Sequence, residues 1–404
     1  MMKVLMVNKF FFLKGGAETV FFQEREMLIE RGFSVIDFAM VHNDNVISDY
    51  SANFVDNVDY HANTGLLSAL KTAVRFVHNT EACEKLSELI AAEQPDIVHF
   101  HNIYHQLTPS IIKVAKQAGC KTVLTAHDTK IACPSYTMYR DGQTCEACLQ
   151  GSVFNALKYR CQQGSWFKSG LLVAEAMYQS LAQNYQSLDV IISPSQFLAN
   201  IIRRKLPTNR IEVIVNGIDE NVDQQGVADH RYFLYLGRLS QEKGVATMIA
   251  AYELSNQSIP LRIVGTGPLT DTLSGRQSKV EWLGFKTGHE LHSLIKQASA
   301  VIVPSECYEN CSMSVLEAMS YGKPIIGANI GGIPEQVRDG KEGRLFEAGN
   351  AHDLASVMNE FAENPELTQH YGEQARQRLE SGYSLSSHHR QLVDLYQRLL
   401  GQPS

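Results

Sequence analysis

The chain has 404 residues, 44% of them apolar and 20% charged, and its formal net charge is −7. A chain this long outgrows one ordinary hydrophobic core and predicts two domains. The acidic balance argues against nonspecific nucleic-acid binding, and no apolar run is long enough to span a membrane.

In chain order, Lys3–Val7 reads as a first strand. This apolar run is too short for a signal-peptide core and Asn8-Lys9 breaks it at once, so a cytoplasmic protein with eight reduced cysteines is expected. Gly15-Gly16 separates the strand from a helix running to about Arg31. Adjacent glycines let a backbone come close to a ligand, and a helix start offers free N–H groups. A second strand spans 32–38, and residues 43–80 carry no assignable pattern.

A helix over 81–92 leads to a strand that ends at His101 and Asn102, with His105 just beyond; a helix over 108–118 leads to a strand that ends at His127-Asp128. Ligands of open parallel sheets sit outside the carboxyl ends of the strands, which makes these residues candidates; a plain structural role is the competing reading for each. Then come Cys133, Cys145, Cys148 and Cys161. In a reducing compartment this set suits a structural zinc with every coordination position filled, while a redox disulfide or four unconnected thiols fit the same spacing. Trp166-Phe167-Lys168 opens an apolar-spaced helix, with Lys158, Arg160 and Arg203-Arg204-Lys205 nearby. A basic, aromatic face of this kind suits peripheral contact with an anionic membrane, or is an ordinary solvated helix face.

The strand within 189–195 closes the first sheet, and Asn216-Gly-Ile-Asp219 with the polar run 220–230 puts the domain boundary near 212–225. The second half opens with a strand that delivers Arg238, followed by Lys243-Gly244 before a helix. Two cations at a helix start suit a diphosphate. Leu261–Val264 precedes Gly265-Thr-Gly267, which falls short of the full dinucleotide fingerprint and counts against a nicotinamide dehydrogenase; 280–285 is a further strand ending at Phe285. Ala300–Val303 reads as a buried strand, 312–320 as a helix stopped by Gly322-Lys323-Pro324, and Ile325-Ile326 as the next strand. Glu309 precedes this helix and Glu317 lies ~7 Å along it. The helix start at Asn310-Cys311-Ser312 suits phosphates, and the flanking carboxylates suit hydroxyls on either side, the layout of a sugar diphosphate nucleotide. Two solvated glutamates on an ordinary helix are the plain alternative.

The Glu309-x7-Glu317 segment, Gly237-Arg238-x4-Lys243-Gly244, Gly15-Gly16-Ala17-Glu18 and Asn216-Gly217-Ile218-Asp219 together resemble the retaining glycosyltransferases of the large group 1 family. The resemblance covers almost the whole chain and is most specific over 232–346. It implies an α/β fold of GT-B architecture, two facing Rossmann-like domains with a C-terminal helix crossing back to the first. On this chain that means an acceptor-side domain over 1–212 with a Cys-rich insert at about 130–165, a nucleotide-sugar domain over 213–383, and a returning helix over 384–404. The resemblance also implies roles. Glu309 and His127 would hold the donor sugar, Glu317 the ribose, and Arg238 and Lys243 the diphosphate. Gly15 and Gly16 would touch the diphosphate through their amides; Gly265, Gly267 and Phe285 would complete the donor site, Phe285 against the base. The implied reaction is transfer from a UDP- or GDP-sugar to a hydroxyl of a glycan or lipid-linked acceptor, in cell-surface polysaccharide or glycolipid synthesis. No Asp-x-Asp clamp stands at a strand end, so no catalytic cofactor or metal is expected. A non-catalytic nucleotide-sugar-binding subunit, or an epimerase or phosphorylase of the same architecture, is the alternative.

Overall fold

A computed structural model of the chain describes residues 2–58, 66–222, 231–273 and 279–401. Fourteen strands occur among these residues: β1 (Lys3–Val7), β2 (Ser34–Phe38), β3 (Ile97–Phe100), β4 (Lys121–Thr125), β5 (Tyr139–Arg140), β6 (Gln143–Thr144), β7 (Val190–Ser193), β8 (Ile211–Val213), β9 (Phe233–Leu236), β10 (Leu261–Val264), β11 (Val280–Gly284), β12 (Ala300–Val303), β13 (Ile325–Ala328) and β14 (Gly343–Phe346). They form two six-stranded parallel sheets, ordered β2-β1-β3-β4-β7-β8 and β11-β10-β9-β12-β13-β14, and the antiparallel hairpin β5-β6. Strands β3, β7, β9, β12 and β13 are buried at every residue. Their short apolar runs are what a sheet covered on both faces requires.

Each sheet reverses its strand order once, between β1 and β3 in the first and between β9 and β12 in the second. At such a point successive connections leave in opposite directions and open a crevice at the carboxyl ends of the strands. Those ends carry Asn8-Lys9, His101, Arg238 and the loop 304–312.

The last helix, Leu385–Leu399, leaves the second sheet and packs under the first. Its Leu392, Leu395 and Tyr396 are fully buried in one cluster with Val4, Met6 and Phe21. Outgoing and returning chain segments meet in a parallel bridge between Ile218 and Ser384, with Leu385 N donating to Ile218 O at 2.8 Å. Gly217 is required at this crossing, because a Cβ there would lie 2.7 Å from Leu385 Cα.

Some boundaries differ from expectation. The helix expected from 108 starts at Ser110, because Thr108 has φ 64, in the left-handed region that no helix can include. Strand β8 runs to Val213, one residue past the expected division. Within 43–80 lie a 3-10 turn, Ser51–Asn53, and a helix, Leu66–Val77. Residues 223–230 of the expected polar run lie outside the described residues.

Candidate functional site

In the second domain β9 runs into an exposed Arg238, and the Tyr235 hydroxyl donates to the Arg238 carbonyl at 2.8 Å. The two glycines after β10 shape this loop. A Cβ on Gly265 would lie 1.9 Å from Gly237 O, and one on Gly267 2.3 Å from Leu239 O. Gly244, at φ 68, does the same against the end of β12: its Cβ would meet Pro304 O at 1.9 Å. The turn before Gly244 thereby brings Lys243 to Glu309. Lys243 Nζ donates to Glu309 Oε1 at 2.5 Å and Ser305 Oγ to the same oxygen at 2.6 Å. Burial works to push the Glu309 carboxyl up, but the Lys243 ammonium and these hydrogen bonds hold it below the usual range. Burial likewise opposes the charge on Lys243, and Glu309 more than restores it.

The loop after Glu309 rests on a second pair of glycines; Gly332 N donates to Glu309 O at 2.6 Å, where a Cβ on Gly332 would lie 2.0 Å from Asn310 O. Asn310 Nδ2 reaches the first domain and donates to His127 O at 2.8 Å. Gln336 grips Ser312 at both its N–H (2.8 Å) and its carbonyl (3.1 Å). The helix Met313–Ser320 begins there with no side chain capping it. Its first N–H groups are therefore available to an outside acceptor. Cys311 is a thiol that burial pushes up to about 12, which keeps it protonated at the helix start. One helical turn on, burial alone pushes the half-buried Glu317 carboxyl up to about 7. Phe285, just past β11, is 73% exposed.

In the first domain the helix Gly16–Glu30 starts at Gly15, again with no capping side chain. A Cβ on Gly16 would lie 3.1 Å from Cγ of Met313. Two uncapped helix N-termini thus meet across the cleft, with their partial positive charges facing one space. At the end of β4, His127 Nε2 lies 2.8 Å from His101 Nδ1; burial pushes the His127 ring down to about 3 and keeps it neutral. Asp128 accepts from the Tyr104 hydroxyl and from Lys130 N.

The structure adds Lys9, which sequence reading passed over as the residue that broke an apolar run. It follows β1 at the switch point, its ammonium 3.8 Å from the centre of the Tyr104 ring. Burial pushes it down to about 8 against the pull of Asp128. Its signal was a charge set directly after a buried first strand. His105, by contrast, stacks on Phe76 at 4.2 Å between ring centres, and Asn102 is held through its backbone N–H by Asn8 Oδ1 at 3.0 Å.

The Cys-rich segment also spans the cleft. Tyr139 OH donates to Glu306 Oε2 at 3.1 Å, and Tyr308 OH to Glu146 Oε1 at 3.3 Å. On the far side Glu335 accepts from Gln196 N at 2.8 Å and Phe197 N at 2.5 Å, a carboxylate capping a first-domain helix. Cys133, Cys145, Cys148 and Cys161 line one small cavity as free thiols. No three of their sulfurs lie within 4.8 Å of one another. Among the described residues the one group of three or more ligand atoms within 4.8 Å of each other is Glu24, His99 and His101, whereas a zinc tetrathiolate needs sulfurs ~3.8 Å apart.

Residues 14–222 match the model of Glycosyltransferase Family 4, and residues 218–378 that of Glycosyl transferases group 1. The chain belongs to the group 1 glycosyltransferases. The chain is 28% identical over 222 residues to the lipopolysaccharide 1,2-N-acetylglucosaminetransferase of Salmonella typhimurium, covering 48% of this chain and 58% of that one. The chain spans about half the length of the curated relatives it matches. Among solved structures, a sucrose-phosphate synthase from Thermosynechococcus elongatus superposes with a TM-score of 0.71 at 17% identity, over 99% of this chain and 100% of that one. Anabaena HepE in complex with UDP-glucose gives 0.66 at 18% identity, over 98% and 100%. These likenesses show the GT-B fold. No helix of the described residues is long and apolar enough to cross a membrane.

Proposed function

We propose that the glycosyltransferase moves a sugar, with retention of configuration and without a catalytic metal, from a UDP- or GDP-sugar to a hydroxyl of a glycan or lipid-linked acceptor in polysaccharide or glycolipid synthesis. The observation that carries this is the meeting of two uncapped helix N-termini, with Lys243 held by Glu309 just before the second of them. That arrangement concentrates positive charge where a diphosphate would depart, and pre-set donors of this kind lower the barrier without reorganising during the reaction. Glu309, kept ionised, would orient the sugar with His127; Glu317, shifted by burial with no cation beside it among the described residues, would take the ribose hydroxyls. Phe285 would lie on the base. Gly265 and Gly267 would act from behind, by shaping the Arg238 loop. In the transfer the bond from the anomeric carbon to the diphosphate breaks and the acceptor oxygen bonds to that carbon on the same face. The acceptor proton passes to the departing phosphate oxygen.

Two finer features belong to the same proposal. The cavity shared by the four thiols supports a structural zinc whose binding would draw the sulfurs together; metal analysis under reducing conditions should find about one zinc per chain. Exposed Phe154, Trp166 and Phe167 beside Lys158, Arg160 and Lys168 support peripheral contact with anionic lipid. The test of the main reading is a thermal-shift panel of UDP- and GDP-sugars followed by transfer assays. A donor at a hundred times its Kd should add about 2.7 kcal/mol of stability, and Arg238→Ala should abolish most of it. No response of the parent protein to any nucleotide sugar or free nucleotide would sink the proposal.

A further inference from the structure

His127 is the outer end of a buried line of titratable groups. Behind it His101 Nδ1 lies 2.8 Å from His127 Nε2, and His101 Nε2 lies 3.5 Å from Glu24 Oε2. Glu24, on the helix Gly16–Glu30, is completely buried. Its other oxygen, Oε1, is 3.0 Å from His388 Nε2, and His388 Nδ1 is 2.7 Å from the carbonyl of Val215. The line therefore joins the cleft to the returning helix and to the crossing between domains.

Hydrogen-bond complementarity places the protons. A carbonyl only accepts, so His388 Nδ1 carries a proton. Its Nε2 faces a carboxylate and shares a second proton with it. Burial disfavours the charge on His388, yet its bonds to Glu24 and Val215 hold it above its ordinary value, which makes the pair an imidazolium and a carboxylate. Glu24 Oε2 and His101 Nε2 are both buried, 3.5 Å apart, and the other nitrogen near that oxygen is His99 Nδ1 at 3.4 Å; a carboxylate only accepts, so a proton shared between Glu24 and His101 sits on His101 Nε2. His99 does not compete for it: its Nδ1 is 2.6 Å from the Tyr396 hydroxyl and its Nε2 is 2.8 Å from that of Thr125. With both its nitrogens engaged, His99 also leaves the cluster short of a third ligand for a metal ion. His388 already balances Glu24, so a second buried cation at His101 would be unpaired and costly. A neutral His101 protonated at Nε2 presents Nδ1 as an acceptor, and His127 must donate to it.

We propose that Glu24, His101 and His388 are positioning residues that fix His127 as its neutral Nε2–H tautomer, leaving Nδ1 to accept from a sugar hydroxyl and unable to donate to the diphosphate. The consequence for sugar binding rests on the transferase reading; the tautomer does not. Long-range 1H–15N spectra of protein labelled at histidine, assigned with His127→Asn and His388→Asn, should show His127 protonated at Nε2 only and His388 protonated at both nitrogens near neutral pH. A His127 ring protonated at Nδ1 in the intact protein overturns the proposal.

Glu24→Leu removes the acceptor. It should give a mixture of His127 tautomers and lower kcat/KM roughly tenfold, about the worth of one hydrogen bond. Glu24→Gln retains an acceptor for His101, so it should keep the His127 tautomer while His388 loses its second proton. An unchanged His127 spectrum in Glu24→Leu, or an imidazolium at His388 in Glu24→Gln, counts against the line. Should Glu24→Leu fail to fold, the intact protein and Glu24→Gln decide. Expected tautomers in a protein that turns over no nucleotide sugar would overturn the transferase reading alone.

Discussion

Lys243→Met removes the ammonium that holds Glu309 ionised and keeps most of the side-chain volume. Taking one partner from a fully buried pair costs about 3–5 kcal/mol. Here the side chains are 32% and 16% exposed, so solvent screening brings the expected loss to about 1–2 kcal/mol. For a domain of this size that lowers Tm by roughly 2–8 °C. The sign with pH follows from Glu309. Its carboxyl is held below the usual range in the folded protein, so the stability it contributes is present above the unfolded pKa and is lost as pH falls through the folded one. In Lys243→Met burial is opposed only by the Ser305 hydroxyl and pushes that carboxyl up. The gap between parent and variant should therefore widen from acid toward pH 7 and close again in acid. The assay is a pair of calorimetric melts, one in acid and one at neutral pH. Lys243→Met/Glu309→Gln should regain most of the lost stability, since no buried charge is left unpaired. Its activity should not return. If Lys243 also faces the departing diphosphate, kcat/KM should fall about 10²–10³-fold in both variants. Equal melting temperatures at neutral pH would refute the pairing, and kcat/KM within twofold of the parent would refute the diphosphate role.

Glu317 is pushed up to about 7, so donor affinity should improve as pH rises through that value and the carboxylate gains its second acceptor oxygen; Glu317→Gln should flatten the profile of KM against pH. Its raised folded value also means that ionising Glu317 costs stability, so the apo protein should lose a little as pH rises from about 4.3 through about 7. Gly244→Ala drives a methyl into Pro304 O at a positive φ and should lower the melting temperature measurably, with donor binding lost along with the Lys243 turn. Glu335→Ala frees two N–H groups at the start of the helix Gln196–Lys205; small-angle scattering should show a larger radius of gyration if this carboxylate holds the domains together.

Local pattern carried most of the fold. Runs such as Ala300–Val303 and the Gly-Lys-Pro stop after Ser320 make strand, helix and turn legible from neighbours alone. The hairpin β5-β6 was legible too, and was missed. Asp141-Gly142 at its tip takes φ 52 and 80, the two positive values that favour this dipeptide. Gly265 and Gly267 read as a turn, but only the fold reveals that they press on the Arg238 loop. The line behind His127 had no local signature. Glu24 and His388 are 364 positions apart, and on its own helix Glu24 looks like a surface charge. It is buried because the last helix returns over it.

That return has a temporal consequence. A cluster beneath the first sheet is completed by Leu392, Leu395 and Tyr396, which leave the ribosome more than 370 residues after Phe21 and Val4. Domains ordinarily finish in the order of their synthesis. Here the N-terminal domain waits with an open apolar face while the second sheet, complete once β14 has emerged, closes first. A nascent chain stalled anywhere between β9 and the last helix would present that face to chaperones, and truncation near residue 384 should cost solubility through the domain at the opposite end of the sequence.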